Sequence, residues 1–228
     1  MKRSKIITLA ILLIALRGIS QNTDHQYFTW PQAIVRIHPE SKFSYEGVLQ
    51  LRLMANLDHI QLISLTNGVY YKPGKKPFFL GADYSFIAVN TLEGYRQVHW
   101  IQPKVEYRPK FNNSNMLFRL MYAHLWTRDL TGPDYKSEDD RIRFLYQISF
   151  PITNKLTLNV NDEIFILGRQ SFMKENRFQT SISARLDERK TISVGYFFRW
   201  LGATDKIQKT VYENAITVAY TYTIPSKK

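Results

Sequence analysis

Thr191-Ile192-Ser193-Val194-Gly195-Tyr196-Phe197-Phe198-Arg199-Trp200-Leu201 decides the fold. Ile192, Val194, Tyr196, Phe198 and Trp200 share one side of an extended chain. Thr191, Ser193, Gly195, Phe197 and Arg199 share the other. Successive side chains of a strand point to opposite faces, so this is a strand with one apolar and one polar side. The same period of two governs residues 177–186, where Phe178, Ile182, Ala184 and Leu186 oppose Arg177, Gln179, Ser181, Ser183 and Arg185. It governs residues 212–224 too, with Asn214 as the one polar intruder on the apolar face.

Working back toward the start, residues 140–150, 116–126 and 155–166 alternate as well, with His124 among the apolar set of the second. Asp162 falls on the apolar face of the third, which predicts a bulge or a strand end there. Residues 43–53, 60–72, 77–90 and 96–109 read as strands with looser patterns, and Pro103 predicts local irregularity in the last. Tight turns are expected at 73–76, 112–114, 153–155 and 187–189. Longer connections are expected near 55–59, 91–95, 128–139, 168–175 and 202–210. Short turns at one end and longer loops at the other describe an up-and-down meander. Counted from Phe43 there are ten strands, within a range of 8–12. An even number would make the chain enter and leave at the short-turn end. Residues 28–38, with Trp30 and Pro31, form a further extended run.

The start of the chain reads as an address. Lys2, Arg3 and Lys5 precede an apolar run from Ile6 to Leu16, and Gly18 and Ser20 stand before Gln21. Residues 1–20 thus have the three parts of a cleavable secretory signal peptide, although Arg17 is a charge in the cleavage region. The chain has 228 residues and a net charge of +12, from 31 Lys and Arg against 19 acids. Removing Lys2, Arg3, Lys5 and Arg17 leaves 27 against 19, or +8. Part of the basic excess is therefore export signal, and no nucleic-acid partner is expected. The expected organisation is residues 1–20 as signal, 21–42 as a leader, plug or extra strand, and 43–228 as a barrel. With no cysteine in the chain, a disulfide scaffold, a Cys-ligated metal, a Cys nucleophile and an N-terminal lipid-modified Cys are all excluded.

Three features predict an all-β, transmembrane, up-and-down antiparallel β-barrel over a soluble one. Aromatic residues stand near strand ends on the apolar faces: Tyr196, Phe198, Trp200, Tyr212, Tyr220 and Tyr222 form a candidate interface girdle. Small residues such as Ser181, Ser183, Ser193, Gly195, Thr217 and Ala219 occupy the polar faces beside charges, as a confined lumen requires. The strands run about 10–13 residues, suited to a tilted span needing roughly 9–11. The expected location is the bacterial outer membrane, with the membrane lipid and the barrel assembly machinery as partners.

The chain also resembles a family. Asn161-Asp162-Glu163-Ile164-Phe165, followed by Glu175-Asn176-Arg177-Phe178, is similar to the C-terminal signature of an uncharacterised group of outer-membrane proteins, domain of unknown function 2490. Val105-Glu106-Tyr107-Arg108 resembles that group's apolar-Glu-x-Arg strand, and Trp30 and the hairpin ladder from Phe43 also fit. The resemblance implies an outer-membrane barrel with no assigned activity and no catalytic residue to transfer. The chain departs from the general barrel pattern at Pro225-Ser226-Lys227-Lys228, where a terminal aromatic is usual.

The candidate lumen network is Glu46, Gln50, Arg52, Asp83, Glu106, Arg108, Arg119, Arg143, Asn161, Glu163, Arg177, Arg199 and Glu213, all on polar faces. Such arginines would favour anions in an open pore. The bland alternative is a structural network in which opposed Arg and Glu fill a narrow interior. No cofactor or metal site is expected: the histidines at 25, 38, 59, 99 and 124 match no zinc spacing. A rim hydrolase acting on lipid or peptide, using Asp58-His59 or Asp139-Asp140 in outer loops, is the enzymatic alternative to a non-enzymatic barrel. It has weak support, because neighbours along a strand point apart and no Gly-x-Ser-x-Gly or His-Ser motif occurs.

Overall fold

The computed structural model describes residues 24–39, 41–54, 60–91, 94–129, 136–167, 170–202 and 210–226. These form strands β1 (Asp24–Ile37), β2 (Phe43–Met54), β3 (Ile60–Tyr71), β4 (Phe78–Thr91), β5 (Gly94–Tyr107) and β6 (Lys110–Phe111). The second half is β7 (Ser114–Asp129), β8 (Lys136–Pro151), β9 (Leu156–Leu167), β10 (Gln170–Arg185), β11 (Lys190–Leu201) and β12 (Val211–Ile224). There is no helix among the described residues.

One sheet runs β5-β4-β3-β2-β1-β12-β11-β10-β9-β8-β7, and the pairing of β5 with β7 closes it into a barrel. The two-residue β6 continues β5 along the same edge of β7 and in the same register, so the wall has eleven strands. Every wall pair is antiparallel except β1 with β12, which run parallel from Asp24 beside Val211 to Ile37 beside Ile224. Counted from Phe43 there are ten strands; β1, in the residues read as leader, plug or extra strand, lies between β2 and β12 and makes eleven, within the expected 8–12. In a meander, direction alternates from strand to strand. An odd number of strands can therefore close only through one parallel seam.

Tight turns gather at one end, called here the turn end, where β3 stops at Tyr71 and β4 starts at Phe78. The opposite loop end carries the connections after Met54, Thr91, Asp129, Leu167 and Leu201. Phe28 pairs with Met54, so β1 begins at the loop end. This corrects the expectation that the barrel's first strand would start at the turn end. Two expected loops are also shorter than predicted, because β8 already begins at Lys136 and β10 at Gln170.

Cα partners followed from Phe43 pass through Tyr71, Leu80, Val105, Leu120 and Phe144. They continue through Ile164, Asn176, Trp200 and Tyr212 to His25. Since Ile37 of β1 stands beside Tyr45 of β2, position 39 is level with Phe43, and the circuit that returns to His25 climbs about 14 residues. An even offset returns each inward residue to an inward neighbour, and a stagger of this kind goes with strands tilted by roughly 35–45°.

The outer surface is apolar. Leu49, Leu65, Val69, Leu80, Ile101, Val105, Leu120, Phe144, Ile182, Val194 and Ile216 are 43–59% exposed. The buried hydrophobic set is small, and its cluster is Phe28, Trp30, Phe197 and Ala215 inside the loop-end half. Trp30 lies 4.1 Å from Phe197, centroid to centroid.

One local expectation fails for a physical reason. Asp162 makes no bulge: β9 stays in register past it on both sides, and Asn176 donates to its carboxylate at 2.7 Å. Pro103 points outward from β5 opposite Ala82, and the ladder to β7 is interrupted at Gln102 and Pro103, between the Ile101–His124 and Lys104–Met121 pairs, as the missing N–H of proline dictates. Glycine matters at position 195, where a Cβ would run into Thr180 carbonyl oxygen and Ser181 Cβ, so β10 and β11 close up there.

The parallel seam gives a direct check. Gln32 and Ala219 are Cα partners across it. Adjacent strands stand ~4.8 Å apart, within the range a disulfide bridges. Gln32→Cys/Ala219→Cys is expected to form an intramolecular disulfide on mild oxidation in the folded protein. A chain whose first strand lies elsewhere would leave both thiols free to alkylation.

Candidate functional site

Inward positions come from alternate residues of every wall strand, and the network predicted from the sequence lies on them. On the loop side a chain of alternating charge runs along the wall. Arg52 of β2 donates to Glu213 of β12 through Nη1 and Nη2, at 3.3 and 3.0 Å, reaching past the intervening β1. Arg199 of β11 donates to Glu213 at 3.0 Å and to Glu175 at 2.7 Å. Arg177 donates to Glu175 at 2.5 Å and approaches Glu163 at 4.0 Å. Arg143 completes the run, 2.7 Å from Glu163 and donating to Gln102 of β5 at 2.8 Å.

The arginines are held by rings as well as by carboxylates. Phe165, fully buried, lies under Arg143 at 4.6 Å and Arg177 at 4.3 Å. Arg52 stacks over Phe28 at 4.7 Å and Trp30 at 4.5 Å. Guanidinium groups tolerate such faces because they are planar and weakly hydrated. Together with Met121, Ala123 and Leu125, these groups fill the loop-end half of the lumen.

A second group stands nearer the turn end. Lys104 donates to Asp83 at 2.5 Å and to Tyr70 hydroxyl at 2.6 Å. Gly68 leaves room for this pair, since a Cβ there would collide with the Asp83 carboxylate. Glu106 has no exposed surface and accepts from Arg119 at 2.6 Å and from Arg108 Nε at 2.7 Å. Glu46 accepts from Arg36 at 2.6 Å. Asn161 donates to Gln179 at 3.5 Å, and Gln50 lies beside Gln32 on the inner face.

Sequence reasoning missed Lys104, Glu175 and Arg36. Lys104 adjoins Pro103, which obscured the alternation; Glu175 fell in a presumed loop; Arg36 fell in the presumed leader. The girdle residues all point outward and split into two belts. Tyr196, Phe198, Trp200 and Tyr212 lie toward the loop end, with Phe198 and Tyr212 rings 5.8 Å apart; Tyr220 and Tyr222 lie toward the turn end. A further stretch of the turn-end belt, from Phe78 through Tyr107 and Phe118 to Tyr146, has ring spacings of 4.7, 6.3 and 5.1 Å. Asn214, the polar intruder, is answered by the Tyr196 hydroxyl.

The residues considered for rim catalysis do not assemble into a site. Asp58-His59 lies outside the described residues. Asp139 and Asp140 are in β8, not in a loop. Asp139 faces inward and pairs with Arg141 at 3.0 Å. Asp140 faces outward, 2.8 Å from His124 Nδ1, and accepts from Tyr122 at 2.6 Å. His99, also outward, stacks on Trp126 at 5.4 Å. Among the described residues, no three His, Asp or Glu side chains converge as a metal would need.

An all-β barrel with a salt-bridged interior and an apolar wall defines the class. The chain belongs to the family described as Protein of unknown function (DUF2490), whose model matches residues 28–210. No curated protein matches it. The matched segment runs from Phe28 at the head of β1 through β11, so it includes nearly all of the charged interior.

Glu213 joins two guanidiniums across the seam, Arg52 of β2 and Arg199 of β11. Glu213→Ala is expected to destabilise the barrel by about 3–5 kcal/mol, since it leaves buried charge unanswered. Glu188→Ala, in the exposed β10–β11 turn, is expected to leave stability unchanged. The urea midpoints of the folded barrels measure both.

Proposed function

We propose that this protein is an outer-membrane β-barrel without enzymatic activity, its lumen closed in the loop-end half and lined by charge. The observation that carries this reading is the inversion of the wall, with apolar side chains exposed all round and Arg–Glu pairs inside. A soluble protein would leave that surface in water, whereas hydrocarbon requires it. A closed barrel also leaves no backbone group unpaired in lipid. The two outward aromatic belts suit the two membrane interfaces. A signal peptide over residues 1–20 and delivery by the barrel assembly machinery belong to the same proposal.

A structural role is favoured over a conducting pore because rings and guanidiniums occupy the loop-end lumen. A rim hydrolase gains little: Tyr122, His124 and Asp140 are joined on the outer face, but no serine joins them among the described hydrogen bonds.

The purified protein is expected to partition with outer membranes, to change mobility on a gel when heated, and to give no steady current in planar bilayers. Recovery in the soluble fraction would overturn the location. A steady anion-selective current would overturn the closed lumen in favour of a narrow channel.

A further inference from the structure

The turn-end half of the lumen differs from the filled loop-end half. A cavity of about 790 Å³ opens there, with Arg36, Lys72, Arg108, Lys110 and Arg119 in its lining. Glu46 is the one carboxylate among the lining residues. Glu46 is bound to Arg36, and Glu106, buried on the inner face of β5 beneath the lining, is shared by Arg108 and Arg119. Five cations therefore meet two carboxylates, a surplus of three. Neither Lys72 nor Lys110 has a carboxylate partner among the described residues. Lys72 stands 5.6 Å over the Phe79 ring, and Arg108 stacks 4.2 Å over the same ring.

The contrast with the loop end is chemical. There each carboxylate is bracketed by guanidiniums in an alternating run, and rings fill the space between them. At the turn end the pairs leave both charge and volume over. Ordinary ligand cavities measure about 300–1,000 Å³. Part of the lining is apolar, from Pro39, Pro77 and Phe79.

We infer that this vestibule is a binding site for a small, multiply charged organic anion, phosphorylated or polycarboxylated. Arg108 is already oriented by Glu106 and Phe79, so one fork of the site is set before the ligand arrives. Lys72 and Lys110 supply the charges that only the ligand answers. The site follows from the barrel's geometry and does not depend on where the barrel resides.

Isothermal titration of the folded barrel in zwitterionic detergent at constant ionic strength tests it, with pyrophosphate and citrate as probes. At least one of them is expected to bind saturably, one per barrel, while sodium chloride at equal ionic strength gives no saturable heat. Tighter binding of pyrophosphate assigns phosphorylated ligands; tighter binding of citrate assigns carboxylated ones. Lys72→Gln/Lys110→Gln is expected to weaken the better probe by about a hundredfold, since each of the two lost charge-assisted bonds contributes on the order of 1.4 kcal/mol, or about tenfold. Lys72→Arg/Lys110→Arg is expected to keep binding. Lys155→Gln/Arg189→Gln, which removes the same charge from turns outside the cavity, is expected to leave it intact. Each variant is first shown to be folded by its heat-modifiable mobility. No saturable binding of either probe by the native barrel, or equal weakening by the Lys155/Arg189 pair, would overturn the inference.

Discussion

Everything in this structure depends on β1 closing the hydrogen-bonded wall. Each wall strand has a partner on both sides, and the last two free edges meet as β1 against β12. A free edge exposes a row of unpaired amides and carbonyls, which is costly in water and far more so in hydrocarbon. With eleven strands the seam has to be parallel. β1 contributes more than hydrogen bonds, since it carries Phe28 and Trp30 into the interior. There they meet Phe197 and the Arg52 guanidinium. Arg52 then reaches past β1 to Glu213, tying the seam from inside.

The closed wall fixes which side chains face one another inside. Strand tilt staggers neighbours, so an arginine can reach a carboxylate two strands away, as Arg52 does and as Arg141 does toward Glu175 at 3.8 Å. The interior is therefore graded along its axis. Rings and alternating charges crowd the loop-end half, while the turn-end half keeps space and positive charge. The same stagger brings outward polar groups into mutual contact, as with Asp162 and Asn176 or Asn214 and Tyr196. An apolar wall can hold these few polar groups because each finds its partner on the neighbouring strand.

Much of this was legible in the sequence, and the failures have physical causes. Strict alternation in β11 and β12 identified the barrel and the outward set, because sheet pleating leaves no other reading. The network residues from Glu46 to Glu213 were legible for the same reason. β1 was legible only as an extended run whose place stayed open, since Gln32 and Arg36 alternate with Pro31 and Ala33 and neither face is plainly apolar. Counting without it then reversed the end at which the wall begins. Asp162 looked like a break because its partner Asn176 lies on another strand, and single-strand periodicity cannot show cross-strand pairing. Lys104 and the vestibule were illegible for a related reason. Which polar face retains empty volume depends on how the wall closes, not on any one segment.

The central proposal is the inverted wall in a membrane, which would put even-numbered residues of β11 in lipid and odd-numbered ones in the lumen. Nitroxide labels at single cysteines placed along residues 192–198 test it most directly, in barrels reconstituted into bilayers, because the chain has no native cysteine. Position 195 stays glycine, because no side chain fits there; the account predicts high oxygen accessibility at 192, 194, 196 and 198 and low accessibility at 193 and 197. High accessibility of the even positions to a water-soluble nickel chelate, or the absence of any period of two, would contradict it.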